Sequence, residues 1–194
     1  MKIESPVGAT PIDPDTLAGL IPNLTLQREL DEFEANNIAK AVLWAERSRK
    51  LKKELLTANG LSLLHQRMFD DTWTWSGQWR TRQTNIGVSP GSILNQLGIL
   101  LGDVKYWIEN KTYEPREIAV RFHHLLVQIH PFPNGNGRFS RLAADLLLKR
   151  LGGEPLSWGS QSLKPGEMRE KYLRALRVAD REFSYEELLE FART

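Results

Sequence analysis

The sequence contains no cysteine, which excludes disulfide staples and thiolate chemistry. That composition fits a reducing cytoplasm. No stretch approaches the roughly 18 consecutive apolar residues of a membrane span, so none is expected. The opening residues, MKIESPVGATPIDPD, have no apolar run after their single lysine and do not read as a signal peptide. An excess of one charge is missing as well: Lys and Arg total 26 against 24 Asp and Glu, a formal net charge of +2. A balance that even argues against an electrostatic nucleic-acid surface. Internal repeats and low-complexity tracts are also absent.

What remains is 194 residues, 41% of them hydrophobic and 26% charged, enough for one sizeable core. Residues 1–24 carry Pro6, Pro11, Pro14 and Pro22 and read as an extended arm over a single helical domain at 25–194. Thr25 is a candidate cap for a long helix reaching about Thr57, with Leu26, Leu30, Phe33, Ile38, Ala41, Val42 and Ala45 at helical spacing. Asn59-Gly60 is expected to end it, and a second helix to cover 61–75. Residues 78–91, with Asn85, Gly87, Pro90 and Gly91, lack helical period and read as a short β-hairpin flap. Further helices are expected from about Ser92 to Lys111, from Pro115 to the His130-Pro131 break, from about Gly137 to Arg150, and over 165–180 and 184–193. The predicted class is all-α, with that one hairpin.

The loop between the fourth and fifth of these helices, His130-Pro-Phe-Pro-Asn-Gly-Asn-Gly-Arg138, is chemically loaded. Two prolines stiffen the backbone around Phe132, a candidate anchor to the core. Gly135, Asn136 and Gly137 lead directly into a helix N-terminus, where successive N–H groups and the helix dipole favour an anion. Arg138 in the first helical turn opposes that dipole, a conflict that a bound polyphosphate removes. Arg141 lies three residues on, on the same face. His130 at the entrance is the group in the loop that can take a proton near neutral pH. A base beside bound phosphates suggests deprotonation of a hydroxyl that then attacks phosphorus.

HPFPNGNGRFSR resembles the Fic signature, His-x-Phe-x-acid-Gly-Asn-Gly-Arg-x-x-Arg. LHQRMFDDTWTWSGQWR at 64–80 and REKYLRALRVADREFSYEELLEF at 169–191 are similar to Fic helices as well. The wider pattern, from TPIDPDTLAGLIP through NIGV to SWG, resembles the Fic subgroup called mobile mystery protein B, which is associated with mobile genetic elements. The resemblance implies the Fic fold and transfer of AMP, or another NMP, from ATP or another NTP to a Ser, Thr or Tyr hydroxyl of a protein. It implies His130 as base. Gly135, Asn136, Gly137 and Arg138 would hold phosphates, and Arg141 the γ-phosphate or an inhibitory glutamate in its place. The flap at Asn85, Ile86 and Gly87 would align a target peptide. Tyr172, Leu173 and Asp180 would touch the base. Mg²⁺, with Mn²⁺ as the alternative, would be the cofactor, and the mobile-element association leaves room for an antitoxin-like partner.

The pattern breaks at Asn134, where the family has Asp or Glu at the metal position. Asn offers an oxygen without charge. Weaker metal use, a different nucleotide or a different transferred group, and nucleotide binding without turnover all stay open. Glu29 and Glu34 are partial matches to the family's inhibitory helix motif, whose Glu pairs with the second arginine. A Doc-like phosphotransferase is the nearest rival, but its loop carries Lys where Gly137 stands. A metal hydrolase built on His123, His124 and His130 lacks a His-Glu-x-x-His run, and the first two read as packing residues.

Overall fold

The computed structural model describes residues 14–24, 26–160 and 165–194. Thr25, the expected helix cap, and residues 1–13 of the arm lie outside the described residues. The helices are α1 (Pro14–Leu17), α2 (Gln27–Arg47), α3 (Arg49–Glu54), α4 (Ala58–Phe69), α5 (Ile93–Glu109), α6 (Pro115–Ile129), α7 (Asn136–Arg150), α8 (Pro165–Glu182) and α9 (Glu186–Arg193). A 3₁₀ turn at Pro90–Ser92 leads into α5.

The all-helical expectation holds, and the helix ends move for identifiable reasons. The long first helix is broken at Ser48, whose backbone turns extended and whose Oγ accepts from the Leu51 N–H to start α3. Thr57 does not close that helix but caps α4, its Oγ1 accepting from the Gly60 N–H at 3.0 Å. Asn59-Gly60 therefore opens a helix instead of ending one. The glycine is required by close approach: a Cβ there would sit 1.8 Å from the Glu54 carbonyl oxygen. α4 stops at Phe69, where buried Asn37 of α2 takes over the polar groups of the next turn. It accepts from the Asp71 N–H and the Thr72 hydroxyl and donates to the Asp70 carboxylate.

The predicted β-hairpin flap is not formed. Among the described residues there is no strand, and the sole β pairing is an isolated bridge between Leu20 and Trp73. The two arms of segment 78–91 bond elsewhere: Arg80 N–H donates to the Pro131 carbonyl and Val88 N–H to the Ile129 carbonyl. At the tip, Gln83 and Thr84 side chains donate to the carbonyls of Gly87 and Ile86, which a hairpin would need for its own ladder.

α6 and α7 pack against one another, with α2 on α4, α5 against α6 and α9 against α8. Their buried faces feed two clusters. Phe122 and Leu126 of α6, with Phe139 and Leu147 of α7, join Leu64, Phe69, Trp73 and Leu97 in the larger. Ala119 and Val120 of α6, with Ala144 and Leu148 of α7, join Trp158, Ala179, Leu188 and Phe191 in the smaller. The α6–α7 connection is thus gripped by core on both sides. Gly60→Ala forces the α3–α4 corner apart; the expected loss is about 1–3 kcal/mol in denaturant unfolding, with the helical signal retained.

Candidate active site

α6 ends because His130 adopts the left-handed conformation, φ 53° and ψ 61°, at its C-cap. For a residue with a Cβ this costs about 1–2 kcal/mol, so the surroundings must enforce it. They do so through Phe132. Its ring is fully buried, stacked on His65 (centroids 3.7 Å) and Trp79 (4.9 Å), with Phe139 edge-on at 4.9 Å. Asn136 staples the same residue by its backbone, accepting from the Phe132 N–H at 2.9 Å and donating to its carbonyl at 2.8 Å. The Asn136 side chain is therefore turned inward, and what it presents to an anion is its backbone N–H.

His65 of α4 supports the loop from below. Its Nδ1 accepts the Gly77 N–H at 3.0 Å, so the proton resides on Nε2, which donates to the Asn134 carbonyl at 3.1 Å. Burial holds its pKa at about 3. The two loop glycines differ. Gly135 has φ +76°, and a Cβ on it would strike the Phe69 ring at 2.6 Å. Gly137 has open space where a Cβ would be. Among the described residues nothing demands a glycine there, whereas close approach of a ligand to the first turn of α7 would.

Arg138 leaves that turn beside the Phe69 ring, its guanidinium 5.1 Å from the centroid, and pairs with Glu34 of α2 at 2.6 Å. Glu34 is buried and also accepts from the Trp73 indole N–H at 2.7 Å. Glu29 instead accepts from the Leu26 N–H at 3.0 Å, capping α2. The carboxylate on the first arginine is thus Glu34, whereas the resemblance puts the inhibitory contact on the second. Arg141 sits over the Tyr172 ring at 5.7 Å. Tyr172 bonds His123 Nε2 at 3.1 Å, and burial pushes its hydroxyl up to about 12. Asp180 is tied to α6, accepting from His124 Nε2 at 2.9 Å and from Gln128 at 3.2 Å. Leu173 is half-buried on α8 near these groups in sequence.

His130 is buried and depressed to about 4, chiefly by desolvation and next by the Arg80 charge, with a backbone hydrogen bond at Val127 acting the other way. Near neutral pH it is an uncharged imidazole. The flap reaches it: a Cβ on Gly87 would lie 2.6 Å from the His130 Cβ, while Asn85 and Ile86 beside it are exposed. Asn134 does not fit a protein-held divalent cation. It carries no charge, and its Oδ1 already accepts from the Gly135 N–H. Among the described residues no group of three or more His, Cys, Asp or Glu side chains converges for a metal.

Comparison with known proteins bears directly on this loop. The family model described as "Fic/DOC family" matches residues 55–148, which span α4 to α7 with the flap and the His130 loop between them. The chain belongs to the Fic/DOC family. It is 33% identical over 135 residues to the protein adenylyltransferase Fic of Aedes aegypti, covering 66% of this chain and 26% of that protein. It is 30% identical over 158 residues to its namesake in Drosophila virilis, covering 78% and 30%. The chain therefore spans less than a third of these curated relatives. Among solved structures, Fic-1 (residues 134–508) of Caenorhabditis elegans superposes with a TM-score of 0.68 at 26% identity, over 91% of this chain and 51% of that one. A Fic domain of Bartonella quintana with bound ADP gives 0.67 at 18% identity over 88% and 86%, a likeness of fold alone.

Two residues of this Fic site escape a reading of the loop. His65 carries a signal, a polar residue on the buried stripe Leu61, Leu64 and Met68. Arg80 carries none, because its partners are backbone carbonyls, two of them about 50 residues away.

All four histidines are held below the ordinary imidazole value by burial. Below about pH 6.5 the unfolded chain takes up protons that the folded chain refuses, so stability falls as the pH drops. Asp145, pushed up to about 6 by burial, works in the opposite direction between about pH 6 and 4 but is one group against four. The melting temperature should be flat from about pH 7 to 8 and fall on acidification from about pH 6.5 to 4. His65→Gln should make that fall shallower.

Proposed function

We propose that this chain transfers a nucleoside monophosphate, AMP from ATP in the first instance, to a Ser, Thr or Tyr hydroxyl of a protein. The observation that carries the reading is a buried, uncharged imidazole at a forced helix end, directly before a glycine-lined helix N-terminus with two arginines. The names and bound nucleotides of the relatives support it. Residues 25–194 act as one Fic-type unit, with 1–24 as an arm on it.

In this reading the backbone N–H groups of Asn136, Gly137 and Arg138, unpaired within the first turn of α7, face the phosphates. Arg138 and Arg141 neutralise the charge there. Tyr172, Leu173 and Asp180 border the base, and Asn85, Ile86 and Gly87 lay the target along the flap. His130 accepts the hydroxyl proton. The hydroxyl oxygen bonds to the α-phosphorus, the bond from that phosphorus to its bridging oxygen breaks, and pyrophosphate leaves. No step is routed through a metal, since Asn134 supplies no charged ligand. A base held at about 4 is populated throughout the neutral range, so transfer should be level near pH 7 and fail only well below pH 6.5.

Glu34 holds the guanidinium that the phosphates need, so the chain as folded is self-restrained at Arg138. Glu34→Gln keeps an acceptor for the Trp73 indole and removes the charge. It should raise nucleotide affinity or transfer by roughly tenfold, the worth of one charge-assisted bond. Glu29→Gly should leave both near the parent level. No gain in Glu34→Gln or Glu34→Gly would remove self-restraint from the reading.

The deciding experiment incubates the chain with α- and γ-labelled ATP in a cell lysate, scoring self-modification too. Protein label from the α position only, lost in His130→Ala, is the expected result. Label from the γ position only would assign a phosphotransferase, and no label from either, even in Asn134→Asp, a nucleotide-binding protein without turnover.

A further inference from the structure

Arg80 is 4% exposed, and among the described residues all its partners are backbone carbonyls; no carboxylate meets it. Its Nε donates to the His130 carbonyl at 2.6 Å. One terminal nitrogen donates to Arg82 at 2.9 Å, and the other to the carbonyls of Val88 and of Ile129, the latter at 3.4 Å. Ile129 is the last residue of α6 and His130 its C-cap. Their carbonyls are groups that a helix end leaves unsatisfied, at the negative pole of its dipole. A buried guanidinium is well matched to them. Arg82 and Val88 lie on the two sides of the flap tip. A single side chain therefore caps the helix that ends in the imidazole and also holds both arms of the flap. Backbone bonds run parallel to it, from Arg80 N–H to the Pro131 carbonyl at 2.9 Å and from Val88 N–H to the Ile129 carbonyl at 3.3 Å. Gly87, at φ +101°, lets the flap close down on this assembly: a Cβ would stand 2.8 Å from an Arg80 terminal nitrogen as well as against His130.

We propose that Arg80 is a positioning residue that makes the flap and His130 one rigid unit, so that a peptide laid on the flap is held in fixed register with the imidazole. The inference rests on the transfer reading for what the register is used for, but the clamp itself is a statement about the folded chain. Lysine keeps the charge and loses the fork, so it cannot serve the helix end and the flap together.

The test compares the parent chain with Arg80→Lys and Gly87→Ala. Amide hydrogen exchange at Val88 and the NMR titration of the His130 imidazole read the clamp whether or not any transfer occurs. Acceptor KM against nucleotide Kd reads its use. In Arg80→Lys the Val88 amide should exchange at least roughly tenfold faster, and the His130 titration should move toward the ordinary imidazole range. Acceptor KM should rise by roughly tenfold or more while nucleotide Kd stays within about twofold. If Arg80→Lys does not fold, Gly87→Ala takes its place, since its Cβ would press on both His130 and the Arg80 guanidinium and so open the clamp from the flap side, and the same changes are expected. Unchanged Val88 exchange in a folded variant would overturn the proposal. So would faster exchange with an unmoved His130 titration, because flap and base would then be independent. A parent chain that transfers nothing, yet shows the exchange and titration changes, would leave the clamp standing and remove the transfer reading.

Discussion

Phe132 is enclosed by the rings of His65, Trp79 and Phe139, and its peptide groups are bonded on both sides by Asn136. Fixing that one residue fixes the loop on either side of it. Two positions back, α6 ends at the residue before Pro131, with His130 in the left-handed region. Three positions on, Gly135 also takes a left-handed conformation, against Phe69, and α7 begins. Burying a phenyl ring is worth about 1.5–3 kcal/mol by apolar area. Stacked rings add about 0.5–1.5 kcal/mol each, which outweighs the roughly 1–2 kcal/mol cost of the left-handed histidine. The strain at the imidazole is maintained by packing one side chain away.

The charges around the loop follow a similar logic. Arg80 and Arg138 are cations at opposite ends of two helices. Arg80 meets the carbonyl end of α6, where a positive charge is favoured, and needs no counter-ion. Arg138 stands at the amino end of α7, where a positive charge is disfavoured, and there the chain supplies Glu34 from α2. The difference explains why one arginine is locked into the fold and the other is half-exposed and held by a carboxylate that a competing anion could replace.

The all-helical class was legible because periodic apolar residues and Pro115 mark helices whatever they pack against. The His130 loop was legible because its residue types are restrictive when taken together. Helix ends were less so: Thr57 reads equally well as a last residue or as a cap, and only the approach of Glu54 to Gly60 decides. The flap differs from the hairpin expected because a missing helical period and turn residues suggest a ladder, whereas Gln83 and Thr84 side chains claim the carbonyls that a ladder would use. Arg80 was not legible at all. A residue whose partners are main-chain oxygens leaves no complementary side chain in the sequence to betray it.

The two glycines flanking Asn136 illustrate how one short motif can be kept by two different pressures. Replacing Gly135 collides with Phe69, so selection for a well-folded chain alone would preserve it. Replacing Gly137 meets only open space. A library of variants sorted for soluble, folded protein would therefore accept side chains at 137 and reject them at 135. Sorting the same library for ligand capture would reject both, and the gap between the two outcomes would mark where the chain ends and its ligand begins.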